Sequence, residues 1–156
     1  MFADIIVDDR EDRPFMLVEV KASVASSEIL QEFIEQLDRS DSSILFGMFV
    51  DLEDIHFLKR DSPRGTFTVR VHLKTKETLR RYAPEFAGKD QRYGGFQFVH
   101  DYVVTLVEGW LRDLAYHWKT ENPPGADVFS GTGLLEKIKG GTTRTSEVVI
   151  DGGLLR

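Results

Sequence analysis

The run Phe15-Met16-Leu17-Val18-Glu19-Val20-Lys21-Ala22 decides how the rest of the chain is read. Side chains on a β-strand alternate between two faces, so Glu19 and Lys21 project from the same face as Leu17, while Met16, Val18 and Val20 line the other. A run this apolar belongs in the middle of a sheet. An acid and an amine set side by side at its end call for an explanation.

Working outward, Ala3–Val7 reads as the preceding strand, with Ile5 and Val7 on one face and Asp4 and Ile6 on the other. The charged turn Asp8-Asp9-Arg10-Glu11-Asp12-Arg13-Pro14 makes the two strands a hairpin. Ser26 or Ser27 caps a following helix, in which Ile29, Leu30, Phe33, Ile34 and Leu37 keep helical spacing. Ile44–Val50 is almost wholly apolar, as suits a strand covered on both faces. Ile55–Leu58 starts a further strand. Asp61-Ser62-Pro63-Arg64-Gly65 is a turn, and Thr66–Leu73 alternates Phe67, Val69, Val71 and Leu73 against polar residues, the pattern of a half-exposed strand.

Thr75–Tyr82 is read as a short helix and Ala83–Gly95 as a loop. Gln97–Lys119 carries the strongest helical stripe, from Phe98 through Val103, Val107, Trp110 and Leu114 to Trp118. The remainder offers a turn of helix at Leu134–Ile138, a strand-like Glu147–Ile150 and a loose end at Gly152-Gly153. The expected fold is α/β: a mixed sheet of about five strands flanked by helices, in one domain over 1–156, with a core at 3–75, a helical part at 76–119 and a tail at 120–156.

Composition narrows the class. The 156 residues are 41% apolar and 29% charged, as in ordinary globular proteins. With no cysteine, disulfides and thiolate metal sites are excluded, and a cytoplasmic location is expected. No run reaches the ~20 apolar residues of a membrane span, so no membrane partner is expected. The net charge of −6 is unevenly distributed. Residues 1–58 carry 4 basic against 14 acidic side chains, whereas 59–81 carry 8 against 2. That basic set (Lys59, Arg60, Arg64, Arg70, Lys74, Lys76, Arg80, Arg81) can contact phosphates, because charge neutralisation dominates nucleic-acid affinity. It equally suits an edge hairpin kept from aggregating by its charge.

The hairpin brings the Asp4 carboxylate towards Glu19. Two hard oxygen ligands at one sheet edge suit Mg2+ or Mn2+, which keep waters and bind through one or two carboxylates plus substrate phosphate. Lys21 on the same face can orient an attacking water or offset negative charge in the transition state. A solvated ion pair on an exposed sheet face is the simpler alternative, worth only ~0–1 kcal/mol. The four histidines, His56, His72, His100 and His117, lack ligand spacing and read as surface or satisfied residues.

Asp4 with Ile5-Ile6-Val7, then Glu19-Val20-Lys21, the amphipathic helix and the apolar strand Ile44–Val50 together resemble the PD-(D/E)xK, or restriction-endonuclease-like, nuclease superfamily. The nearest flavour is the N-terminal nuclease domain of type I restriction motor subunits and small relatives. The resemblance spans residues 3–58. It implies a restriction-endonuclease-like sheet and Mg2+- or Mn2+-dependent hydrolysis of nucleic-acid phosphodiesters. In that reading Asp4, Glu19 and the Val20 backbone carbonyl hold the metal and Lys21 assists the water. Gln36 matches a family glutamine, although the tyrosine that often follows it is replaced by Ser40. The family core has a helix before the aspartate, and here the helix 97–118 is the candidate for that place, with Glu108 as an extra acid. The alternative function is a catalytically silent domain of the same fold, acting as a homodimeric association or nucleic-acid-binding module; a homodimer is the expected assembly.

Overall fold

The computed structural model describes residues 3–83 and 96–145. The strands are β1 Ile5–Asp8, β2 Pro14–Val20, β3 Phe46–Val50, β4 Asp54–Arg60, β5 Phe67–Lys74 and β6 Thr142–Thr145. They form one mixed sheet in the order β5-β4-β3-β2-β1-β6. The β2–β3 pair is parallel and the others are antiparallel. A parallel pair needs a crossover connection, and α1 (Ser27–Asp38) supplies it. The chain is α/β, as the sequence indicates.

α1 starts where Ser26 Oγ accepts the Ile29 N–H at 3.3 Å, which satisfies one of the unpaired donors of the first turn. It buries Phe33 and Leu37 against Ile6, Leu17, Phe49, Leu58 and Phe67 on one face of the sheet. The opposite face, with Ile5, Val7, Met16, Val18, Val20, Met48 and Phe57, is covered by α3 (Phe96–Tyr116). Two short helices, α2 (Thr75–Leu79) and α4 (Leu134–Ile138), and a 3-10 turn at Ala126–Phe129 complete that layer. β2 therefore divides its side chains as its alternation requires, with Leu17 to the α1 side and Met16, Val18 and Val20 to the α3 side.

Two bulges depart from simple alternation. Val7 pairs with Met16 but Asp8 pairs with Pro14, so Phe15 is an extra residue. It joins the α3-side core next to Met16 instead of facing the other way. On β5, Phe57 pairs with Val71 and Leu58 with Val69, leaving Arg70 extra. The inserted residue reverses the pleat, so Val71 and Leu73 face α3 while Phe67 enters the α1-side core and Val69 is exposed. The expected single apolar face from Phe67 to Leu73 is corrected accordingly.

The segment expected as a tail contributes a sixth strand. β6 pairs antiparallel with β1, and Arg144 Nε donates to Asp8 Oδ2 at 2.8 Å. The strand expected at Glu147–Ile150, the loose end and most of the loop Ala83–Gly95 lie outside the described residues. α3 ends at Tyr116, before Lys119. Trp118 is half exposed beyond it and donates its indole N–H back to the Gly109 carbonyl at 2.8 Å. Beside that end, buried Asp113 accepts the Tyr82 hydroxyl at 2.7 Å and the Lys119 and Thr120 N–H groups, which tie the following loop to the helix. No helix among the described residues is long and apolar enough to cross a membrane.

Gly47 on β3 is where α1 comes closest to the sheet. A Cβ there would run into Cδ1 of Leu37, a side chain with no exposed surface. Gly47→Ala is expected to destabilise the fold by about 1–3 kcal/mol, because the buried Leu37 must shift within the α1–sheet core. Urea unfolding measures this, and an unchanged midpoint would show that α1 lifts freely off the sheet.

Candidate active site

The site forms where β2 ends. The ladder continues one residue past the strand, since the Lys21 N–H donates to the Val50 carbonyl at 2.8 Å. Glu19 and Lys21 thus keep the same face, and Lys21 Nζ lies 3.5 Å from Glu19 Oε2. The Glu19 side chain is 17% exposed and that of Lys21 is 41% exposed, so the ammonium remains reachable from solvent.

Asp4 reaches the same end of the sheet by a different route. β1 begins only at Ile5, and Ala3 already lies in the α1-side core together with Ile6. Regular alternation does not run through Asp4, which sits in a bend; its N–H donates to the Val18 carbonyl at 2.9 Å. Its Oδ2 accepts the Val20 N–H at 2.7 Å, so the carboxylate is fixed on the residue between Glu19 and Lys21. The N–H and C=O of one strand residue point to the same side. The Val20 carbonyl therefore opens towards the edge where Asp4 sits.

Oδ1 of Asp4 meets His100 Nε2, on α3, at 3.0 Å. Nothing in the local sequence around His100 marks it, and only the packing of α3 brings it across 96 positions to Asp4. Glu108, the extra acid expected from this helix, is elsewhere: its Oε2 accepts from Arg112 at 3.3 Å and from the Thr143 hydroxyl at 3.0 Å. That expectation is corrected. α3 does approach Asp4, but with an imidazole.

Burial holds the Glu19 carboxyl above its ordinary value; Lys21 pulls it down, while Asp4 and Glu32 push it further up. The contribution of Glu32, from the first half of α1, places a further negative charge near Glu19 that the sequence reading did not include. Gln36 lies one turn beyond Glu32 and is half-buried. Folding thus favours the protonated form of Glu19 relative to the unfolded chain. The stability linked to its proton is complete below the ordinary value of 4.5 and is lost as pH rises through the raised one. Glu19→Gln is therefore expected to raise the melting temperature at pH 7 in a chelator, with the two proteins converging below pH 4.5. A lower melting temperature for the variant at pH 7 would mean that the Lys21 ion pair outweighs burial.

Two carboxylates and a backbone carbonyl at one partly buried edge are a donor set that suits a hard divalent cation, and their mutual repulsion is relieved by one. Among the described residues, no three His, Asp or Glu side chains converge into a fuller metal cluster. Any ion held here would keep waters and share its coordination with a substrate phosphate.

The basic segment does not act as a unit. Arg60 is 7% exposed and its guanidinium donates to the Ile44, Leu37 and Asp41 carbonyls and to Ser40 Oγ, with Phe67 beneath it. It is removed from the set of phosphate-contacting candidates. Lys59 aligns with Phe46 on the α3 side, whereas Lys74 aligns with Asp54 on the α1 side. Lys74 is paired with Asp54 at 3.0 Å and Arg70 with Asp61 at 3.1 Å. Arg64, Lys76, Arg80 and Arg81 are exposed. In the hairpin turn, Asp8 and Asp9 are buried and paired with Arg144 and Lys137, at 2.8 and 3.1 Å. Their charges are neutralised within the fold instead of facing a ligand.

His56 departs from the expectation of satisfied histidines. It stacks on His72, with ring centroids 5.1 Å apart, and its buried Nδ1 has no hydrogen-bond partner among the described residues. Burial, and then the charge of His72, lower its tendency to protonate.

No protein-family model, curated protein or solved structure matches the chain.

Proposed function

We propose that the chain is a metal-dependent nuclease of restriction-endonuclease-like fold, hydrolysing nucleic-acid phosphodiesters at the end of β2. The observation that carries this reading is the 2.7 Å bond from the Val20 N–H to Asp4 Oδ2, which fixes an aspartate against the residue separating Glu19 from Lys21. The hairpin, the α1 crossover and the parallel strand β3 support the fold assignment. In this reading Asp4, Glu19 and the Val20 carbonyl hold Mg2+ or Mn2+. Such an ion lowers the pKa of water and neutralises charge on the phosphate.

The residues of the chain supply position and charge. The Asp4 carboxylate is held by the Val20 N–H, and the ladder fixes the face from which Glu19 projects, so both groups are placed before substrate arrives. Lys21, within reach of Glu19 and open to solvent, donates to the attacking water and faces the negative charge that develops on the phosphate. The water oxygen forms the new bond to phosphorus and releases a proton to bulk solvent, the bond to one sugar oxygen breaks, and that oxygen departs taking up a proton from solvent. Lys59, Arg64, Lys76, Arg80 and Arg81 remain as candidates for longer-range contacts to the nucleic acid. A cytoplasmic homodimer is part of the proposal, and light scattering on the same preparation reads its oligomeric state.

Cleavage of plasmid DNA in Mg2+ or Mn2+ tests the function. Loss of cleavage in Glu19→Ala is expected, and activity that survives this change undiminished overturns the reading. Binding of nucleic acid without cleavage by the wild type would instead support the silent module.

A further inference from the structure

The Asp4 carboxylate is gripped at both oxygens from two directions. Oδ2 takes the Val20 N–H at 2.7 Å from the sheet, and Oδ1 faces His100 Nε2 at 3.0 Å from α3. The other ring nitrogen, Nδ1, lies 3.3 Å from the exposed Asp101 Oδ1 and can donate there only in the imidazolium form; in the neutral ring the one N–H is the Nε2 donor to Asp4. Both contacting side chains are about three-quarters buried, at 25% exposure for Asp4 and 26% for His100. Asp4 lies in a bend just before β1, with its backbone N–H tied to the Val18 carbonyl, and its side-chain torsions are set only by what the carboxylate itself contacts. Without a second donor, the carboxylate could pivot about its single bond to Val20.

We infer that His100 is a positioning residue for Asp4: a donor on α3 that sets the plane of this carboxylate so that its remaining lone pairs face the edge shared with Glu19 and the Val20 carbonyl. This inference rests on the reading of Asp4 and Glu19 as the cation site and names how that site is oriented. A carboxylate oxygen offers two lone pairs, so each one used by Val20 or His100 leaves another for a cation. Ligating carboxylates are held by such outer hydrogen bonds, and losing one costs 10–100-fold in metal affinity as an order of magnitude. The placement also explains why the long helix after the sheet bears on function. α3 buries Val103, Val107 and Trp110 against the sheet, and this packing holds His100 at the open end of β2.

The test is Mn2+ binding to the full chain, followed by electron paramagnetic resonance of the free ion, with melting temperature recorded in chelator. His100→Ala is expected to weaken Mn2+ binding by about 10–100-fold. The fold should be kept, because alanine favours helix and the position is partly exposed. His100→Gln, which returns an N–H donor near the same place, should recover most of the affinity. Asp4→Ala serves as the reference for full loss. If His100→Ala binds Mn2+ as the wild type does while Asp4→Ala does not, the inference is overturned and the cation site stands. If His100→Gln is as defective as Asp4→Ala, His100 is not a positioning residue. If Asp4→Ala and Glu19→Ala both bind as the wild type does, the cation site itself is wrong.

Discussion

Arg60→Ala is expected to destabilise the protein by about 2–4 kcal/mol, a large effect for a residue that a charge count assigns to the surface. The guanidinium is almost fully buried. Its Nε donates to the Ile44 carbonyl at 3.0 Å and its Nη2 to the Leu37 carbonyl at 3.2 Å and Ser40 Oγ at 3.0 Å. These acceptors belong to the end of α1 and the loop leading into β3, so one side chain on β4 fastens the crossover to the sheet. Truncation takes the donor from the Ile44 carbonyl, at a cost of about 1–3 kcal/mol before relaxation, while the Leu37 carbonyl keeps Ser40 and the Asp41 carbonyl keeps the Ile44 N–H. It also removes the planar group over Phe67, whose centroid lies 4.5 Å away. Arg60→Lys should recover little, because an ammonium cannot present the same planar fork. Urea unfolding of the three proteins checks this, and a shift under 1 kcal/mol for Arg60→Ala would contradict the interior role. The same experiment bears on function: with Arg60 inside, the salt dependence of any nucleic-acid binding should not include a contribution from it.

Lys21→Ala is expected to do the opposite, lowering cleavage by about 100-fold or more while leaving the fold intact. The Lys21 side chain is 41% exposed and its pair with Glu19 is 3.5 Å long, so the contact contributes about 0–1 kcal/mol to stability. Its backbone N–H bond to Val50 survives any side-chain change. Removing the ammonium also takes away the Lys21 charge that lowers the Glu19 pKa, so the carboxyl should move further up. Cation binding by Lys21→Ala should then weaken as pH falls, because ligation requires the deprotonated form. Arg60→Ala and Lys21→Ala therefore separate structural from catalytic basic residues within one small domain.

Much of this arrangement was legible in the sequence because it follows local periodicity. The alternation of β2 assigned Leu17, Glu19 and Lys21 to one face, and the pair Ser26-Ser27 marked the start of α1, where Ser26 is the cap. The bulges at Phe15 and Arg70 were not legible, since an inserted residue is defined by the partner strand and leaves no mark on its own. β6 was missed because Thr142–Thr145 is short and polar and becomes a strand only by pairing with β1. Arg60 was misplaced because charge counting cannot tell a solvated cation from one enclosed by carbonyls. His100 escaped because its contact with Asp4 depends on how α3 packs, with no signal at either residue.

The most direct measurement of the central claim is cleavage of plasmid DNA by purified wild type and Lys21→Ala, each with Mg2+, with Mn2+ and with chelator, after both are shown to melt at the same temperature. The expected result is cleavage by the wild type in the presence of the ion alone and none detectable for Lys21→Ala. Equal cleavage by the two proteins, or cleavage by the wild type that persists in chelator, would contradict it.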